Sequence, residues 1–405
     1  MKFFEGYNVL RLRDYRLFWM GQWVSLVGTW MQGVTQAWLL MRLTESPMML
    51  GLLGAASSAP LLVLVLLGGV VSDRFDRRRV VIVTQILSLL QALALAILTL
   101  GGWVQPWHII ALAGALGAIN AFDVPARQAY VMQLVGPAQL PNAIALNSTG
   151  FNAARVVGPA VGGLLVAAVG EGLCFLLNAL SYVAVLSSLL LIRTRPGAAM
   201  GKGGLGGVAA VAAGLRYARL RSDVARILAL VGVVSAIAVP YRSFLPDMAR
   251  TILDVGAWRF GLLMAAAGLG AGAGGLVLAG LTISQATYRR LLPAALVLFS
   301  LALAAFSVSA SYVLSLGLLT LVGVGGIVYF NCSNTLIQLD TEDLYRGRVM
   351  SLYALMHQGT ATFGSLGIGV IADRYGTPAG LVAGAAVCLA AAGAWVATDR
   401  PRGAQ

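Results

Sequence analysis

Long apolar stretches alternate with short polar breaks from one end of this chain to the other. Runs of about 20 or more mostly apolar residues, the length a helix needs to cross a hydrocarbon layer of roughly 30 Å, fall near 17–41, 47–72, 79–101, 106–129, 141–168 and 172–192. After a Gly-rich basic segment they resume near 223–246, 258–281, 290–309, 312–336, 348–371 and 377–397. The pattern predicts an all-α membrane protein with twelve transmembrane helices in two pseudo-symmetric six-helix bundles. The N-terminal bundle covers 1–192, a cytoplasmic linker 193–222 and the C-terminal bundle 223–405. Within the linker, Val208 to Leu220 reads as an amphipathic surface helix. The first apolar segment is too long, and too polar at Gln22, Gln32 and Gln36, for a cleaved signal, so it is expected to remain as the first span.

A weak internal repeat supports the two halves. Sliding the chain by 206 residues places Gly158 on Gly364, Gly163 on Gly369 and Gly170 on Gly376, which pairs the fifth span with the eleventh. A shift of 210 places Gly51-Leu52-Leu53 on Gly261-Leu262-Leu263, which pairs the second with the eighth. Paired halves around a central axis are the architecture of secondary transporters.

Composition narrows the class. The chain is 59% hydrophobic and 11% charged, against about 25% charged for soluble domains. The net charge of +13 does not point to nucleic acid, because the positive residues sit between apolar spans rather than on one aromatic-rich soluble face. With a cytoplasmic N-terminus, one side collects Arg11, Arg13, Arg16, the Arg74 to Arg79 cluster, Arg193, Arg195, Lys202, Arg216, Arg219, Arg221, Arg289, Arg290, Arg346, Arg348, Arg400 and Arg402, and the other keeps Arg42, Arg250, Arg259 and Arg374. The positive-inside rule then puts both termini in the cytoplasm. Cys174, Cys332 and Cys388 lack metal-ligand spacing. His108 and His357 stand far apart, with no metalloprotease or serine-hydrolase motif and no nucleotide-binding loop. No enzyme, cofactor, metal or ATP-driven step is expected.

Several intramembrane polar residues are candidates for chemistry. Asp123, inside the fourth span, has Arg127 one turn later in the favourable order for an ion pair. It is also the best acidic candidate for proton coupling, exchanging partners with Arg155 of the fifth span. His357 titrates near neutral pH when unperturbed, although a lone helical His is more often a packing residue. Arg242, near the outer end of the seventh span, either snorkels to the interface or attracts an anionic substrate. Gln22, Gln32 and Gln36, with Trp23, Trp30 and Trp38, and Asn152, Asn331 and Asn334 are candidates to line a substrate cavity; the alternative is interhelical hydrogen bonding.

The run Gly69-Val70-Val71-Ser72-Asp73-Arg74-Phe75-Asp76-Arg77-Arg78-Arg79 resembles the signature loop of the major facilitator superfamily, and the resemblance extends over nearly the whole chain. Phe122 to Ala129, Asn152 to Pro159 and Arg346 to Ser351 are similar to the branch containing the enterobactin exporter and macrolide-efflux proteins. Gly158, Pro159, Gly162 and Gly163 resemble the family's antiporter motif. The resemblance implies that Gly69, Asp73, Arg74, Arg77 and Arg78 form a cytoplasmic gate, with Asp73 facing the N-terminus of a helix from the other half. The second-half counterpart of this loop has Ile283 where Asp73 would stand, so the charged gate is expected in the first half only. The implied function is export of a small amphipathic molecule, such as a siderophore, macrolide or drug, by alternating access and proton antiport. The protein is expected to act as a monomer in a bacterial inner membrane. An uptake carrier or lysophospholipid flippase would share almost every feature, and a non-transporting receptor on the same fold is a third reading.

Overall fold

The computed structural model describes residues 9–193, 207–238 and 240–398, and among these every regular element is helical. The helices are α1 (Arg13–Thr44), α2 (Pro47–Arg74), α3 (Arg77–Leu100), α4 (Pro106–Val169), α5 (Glu171–Leu191), α6 (Gly207–Leu220), α7 (Ser222–Ala238), the short α8 (Leu245–Asp247), α9 (Ala257–Ala279), α10 (Gln285–Ser307), α11 (Tyr312–Leu339), α12 (Asp343–Tyr375) and α13 (Thr377–Thr398). Among the described residues, nine helices are long and apolar enough to cross a membrane. The long helices α1 and α12 carry more polar and charged residues, among them Gln32, Gln36, His357 and Asp373. Helix α4 is two helices joined across a kink at Gly136, whose φ is 70°. Counting both arms of α4, and α1 and α12, twelve spans form the two six-helix bundles of the major facilitator fold.

Two predicted boundaries differ. The connection expected over 130–140 is helical up to and beyond Gly136: glycine accepts the positive φ, and Pro137 opens the next arm, where a missing N–H is harmless. The seventh span, read as continuous over 223–246, breaks after Ala238 into a 3-10 turn at Pro240–Phe244, then α8, then a wide turn at Met248–Ile252. Pro240 supplies no N–H to carry the helix on.

The linker helix expected over 208–220 is α6. It buries Gly214, Tyr217 and Ala218 and exposes Arg216, Arg219 and Leu220, a spacing that places the small and aromatic residues on one face. Residues 194–206, the remainder of the predicted linker, lie outside the described residues.

The outer surface is apolar, with Leu90, Leu190, Leu276 and Val313 all exposed, as a lipid-facing surface requires. Inside, the bundles meet along two seams, α4 with α9 and α2 with α12. The glycines that the repeat aligns do the same work in each half. Gly170 ends α4 at φ 82° and Gly376 ends α12 at φ 84°, a conformation that an L side chain resists.

Candidate functional site

The two seams close most tightly at the end of the molecule that carries Glu45. There Gly163 of α4 faces Gly261 of α9 so closely that a Cβ on Gly163 would lie 2.8 Å from the Gly261 Cα. Across the other seam a Cβ on Gly51 would lie 3.1 Å from the Gly369 Cα. Arg250 donates to Glu45 (2.7 Å) and to the Met41 carbonyl (3.2 Å), the Ser46 hydroxyl reaches Asp373 (3.1 Å), and Trp38 stacks on Phe260 at 5.5 Å. Deeper along α2, Ser58 and Thr362 share a hydrogen bond of 2.9 Å. The antiporter-like run divides between two partners. Gly158 and Gly162 admit Trp30 and Met31 of α1, while Gly163 and the Pro159 carbonyl meet Gly261.

The opposite end carries the signature loop, and there the seam is open. Asp73 and Arg74 are exposed, and a Cβ at Gly69 would meet nothing within 4 Å. Among the described residues Asp73 has no ion-pair partner, so the contact expected with a helix of the other half is not made in this conformation. The rest of the loop is braced within its own half. Asp76 caps α3 by accepting from the Arg79 N–H (3.1 Å), Arg77 Nε donates to the Ser72 carbonyl (3.4 Å), and Arg78 donates to the Leu189 carbonyl.

Asp123 is buried inside the N-terminal half, where α3 and α4 pack. Its Oδ1 accepts from Thr84 (2.7 Å) and Gln85 (2.9 Å), and its Oδ2 pairs with Arg127 Nε at 3.1 Å. Both oxygens are engaged within one half, and no contact joins Asp123 to Arg155 among the described residues. Thr84 also borders an apolar cavity of about 600 Å³ between α2, α3 and α4, lined by Phe75, Arg79, Val83, Leu87 and Phe122 among others.

Gln32 is fully buried and belongs to a second network. Asn178 Nδ2 donates to Gln32 Oε1 (2.6 Å), Gln32 Nε2 to Gln91 Oε1 (3.0 Å), and Gln91 Nε2 to the Leu112 carbonyl (3.1 Å). These bonds tie α1, α3, α4 and α5 together, the interhelical alternative to a cavity role. Gln36 is 4% exposed with an unpartnered Nε2, and Gln22, half-buried, has an unpartnered Oε1. Trp23 packs beside Gly150, and Trp30 makes an edge contact with Phe151 at 5.6 Å, so these rings seal α1 to α4.

Three other candidates lie on separate elements of the two halves. Arg155 lies half-buried on the second arm of α4, its backbone carbonyl against Gly268 of α9 and its Nε shielded and without a hydrogen-bond partner. Arg242 sits in the 3-10 turn that interrupts the seventh span, where the neighbouring Ser243 reaches Gly54 of α2. The helix breaks before Arg242. His357 Nδ1 is 3.2 Å from Ser235 Oγ, and its ring meets Phe330 at 4.3 Å. Asn331 is half-buried on α11, Asn334 accepts from Gln338 (2.6 Å), and Asn152 donates to the Ser148 carbonyl of its own helix (2.9 Å).

Several buried polar groups escaped the sequence reading, among them Thr84, Gln85 and Gln91 of α3, Asn178 and Asp247. Asn178 is fully buried, and a lone amide within the apolar stretch 172–192 was a legible signal for it. Asp247, 4% exposed and accepting from Thr251, stands one residue beyond the predicted end of the seventh span. The break that draws it inward has no pattern beyond Pro240.

Comparison with known proteins agrees with this architecture. The profile of the transmembrane secretion effector family matches residues 5–403. The chain is 24% identical to the staphyloferrin A transporter of Staphylococcus aureus (strain NCTC 8325 / PS 47) over 366 residues, 89% of this chain and 90% of the relative. It is 26% identical to the enterobactin exporter of Escherichia coli O1:K1 over 370 residues, 87% and 85% of the two chains. A crystal structure of a mutant nucleoside transporter superposes with a TM-score of 0.77 at 12% identity, covering 96% of this chain and all of that one, a likeness of fold. A chain with paired six-helix bundles, glycine seams between them and a family match over almost its entire length is a multi-pass membrane transporter, and it belongs to the transmembrane secretion effector family of the major facilitator superfamily.

Proposed function

We propose that the protein exports a small organic substrate from the bacterial cytoplasm across the inner membrane, by rocking of the bundles 1–192 and 223–405 about a site between them, with proton antiport as the drive. The asymmetry of the two ends carries this reading. The seams meet backbone to backbone at the Glu45 end, while Asp73 and Gly69 are free at the other. Such a conformation is one limb of an alternating-access cycle. The density of Arg around the open end supports a cytoplasmic position for that end and for both termini. A site open to the cytoplasm is the loading state of an exporter. The relatives named for siderophore transport and export favour that direction and a siderophore-like cargo. A single chain supplies both halves, so a monomer suffices.

Among the described residues, Asp123 and Asp247 are the buried carboxylates available to carry protons. Inverted membrane vesicles energised to an acid interior test the whole reading. Enterobactin or staphyloferrin A, added outside, is expected to release protons from vesicles containing the protein and not from empty ones. Uptake of the same compounds into cells against their gradient, without proton release in vesicles, would reverse the assigned direction.

A further inference from the structure

We propose that the apolar cavity between α2, α3 and α4 is an acyl-chain site for an anionic phospholipid, and that Arg79 at its mouth holds the lipid phosphate. The site requires neither a transport direction nor a coupling ion. Three observations carry it.

The first is the lining of the cavity and its size. Helix α3 contributes Val83, Thr84 and Leu87 from one face, α4 contributes Ala118 and Phe122, and Phe75 closes the side toward α2. The space they bound is about 600 Å³, within the roughly 300–1,000 Å³ of sites that hold small ligands. Packed interiors leave few voids larger than a water molecule, and water in an apolar space finds no hydrogen-bond partners. A hydrocarbon chain is the chemistry that fills it.

The second is where the cavity opens. Phe75, Val83 and Leu87 are exposed, so the space is a cleft in the outer surface of the N-terminal bundle. The molecules that meet such a surface in a membrane are lipids. Because the mouth lies at the first turns of α3, directly after the signature loop, the chain enters from the leaflet beside that loop. On the orientation proposed above, this is the cytoplasmic leaflet.

The third is the charge at the mouth, where Asp76 and Arg79 border the cavity. The Asp76 carboxylate is turned onto the backbone, accepting from the Arg79 N–H at 3.1 Å. The Arg79 side chain is exposed and forms no ion pair among the described residues. Arg77 and Arg78 are engaged with the Ser72 and Leu189 carbonyls. Over 73–79 four arginines outweigh two aspartates, and basic clusters at a membrane surface attract anionic headgroups. A guanidinium binds phosphate through two parallel N–H bonds. Thr84 links this site to the interior, since it lines the cavity while its hydroxyl donates to Asp123. A seated chain therefore keeps water from the Asp123 and Arg127 pair and holds α3 to α4.

Phosphatidylglycerol carrying a photoreactive diazirine near the end of one acyl chain tests the site, in phosphatidylcholine nanodiscs holding the purified full-length protein. Labelled residues are mapped by mass. Labelling over 83–87 and 118–122 is expected to exceed that around Leu190 and Leu276, which are also exposed. Ala118→Phe and Val83→Trp fill the space and are expected to cut this labelling several-fold; Val83 is exposed, so its variant serves even if Ala118→Phe fails to fold. Arg79→Gln is expected to reduce labelling to that given by a phosphatidylcholine probe with the same chain, and Arg79→Lys to reduce it less. Added phosphatidylglycerol should raise the unfolding temperature of the parent more than that of the variants, and glycerol 3-phosphate, the headgroup without its chains, should not raise it. Labelling spread evenly over the lipid-facing surface, or unchanged in both cavity-filling variants, overturns the proposal. Equal labelling by the two headgroups in the parent overturns the role of Arg79, and equal stabilisation by glycerol 3-phosphate replaces the lipid with a free phosphate. A negative result in the vesicle experiment above leaves all of these readouts in place.

Discussion

Gly163 and Gly261 touch through their backbones, and the repeat carries this contact onto a second one. The shift of 206 residues takes Gly163 to Gly369, and the shift of 210 takes Gly51 to Gly261, so the pair Gly163·Gly261 maps onto the pair Gly369·Gly51. The same hinge-side contact therefore occurs twice, once on each seam, related by the pseudo-twofold axis. Small residues at helix crossings let backbones approach, which is the main source of association where no hydrophobic drive exists.

Leucine at either partner of a glycine pair is expected to hold the Glu45 end apart. Overpacking of this kind costs about 1–3 kcal/mol, and a bias near 3 kcal/mol shifts a two-state population by roughly 100-fold. Gly261→Leu and Gly51→Leu should each abolish transport while the protein still reaches the membrane. Cysteines at Glu45 and Arg250, whose side-chain tips are 2.7 Å apart here, should be joined by a bifunctional thiol reagent that spans the lost side-chain length in the parent, and poorly in either variant. Undiminished cross-linking in Gly261→Leu would show that this end does not open through that seam.

Asp123→Asn separates a structural carboxylate from a proton carrier. The amide oxygen can still accept from Thr84, but Arg127 loses its charge partner. Breaking such a partly buried pair should lower stability by about 1–3 kcal/mol. Arg127→Gln breaks the same pair from the other side. If Asp123 only holds α3 to α4, both variants lose stability and transport to similar extents, and substrate-driven proton release scales with transport. If it carries the proton, Asp123→Asn alone uncouples transport from proton release.

The spans, the repeat and the linker helix were legible because each follows from hydropathy or from glycine spacing along one helix. What was not legible depends on how helices are rotated against one another. Gln32 and Gln36 share a face at i, i+4, yet which neighbour that face meets is set by α5, whose Asn178 engages Gln32. Asp123 and Arg155 are opposite charges on the fourth and fifth predicted spans, and charge alone paired them. The kink at Gly136 puts them on different arms, one turned into the N-terminal bundle and the other toward α9. The break after Ala238, which puts Arg242 in a 3-10 turn rather than a helix, had no signal in the apolar run beyond Pro240.

The chain Asn178, Gln32, Gln91 and the Leu112 carbonyl makes a prediction opposite to that of a cavity lining. Gln32→Leu should strand the Asn178 amide and the Gln91 carbonyl in an apolar bundle. Intramembrane hydrogen bonds contribute about 0.6 kcal/mol on average and up to roughly 1.7, so the unfolding temperature of nanodisc-embedded protein should fall by a few degrees. Substrate preference, measured as relative efflux of two cargo molecules, should stay unchanged. A changed preference with unchanged stability would return Gln32 to the substrate site.

Helix α6 is more than a tether. Tyr217 stacks on Tyr345 at 4.4 Å and its hydroxyl accepts from the Glu342 N–H, Arg221 pairs with Glu342, and Gly214 lies against the Arg348 carbonyl. The linker helix thus grips the first turns of α12. The stacked pair contributes about 0.5–1.5 kcal/mol and the exposed ion pair less. Tyr217→Ala should therefore release α6 without unfolding the bundles. Trypsin applied to inverted vesicles should cut after Arg216, Arg219 and Arg221 several-fold faster than in the parent, with the fragments identified by mass. Tyr345→Ala should accelerate the same cuts, and the double variant should add little to either, because the two rings act as one contact. Additive acceleration in the double variant would mean that α6 is held by something other than the stack.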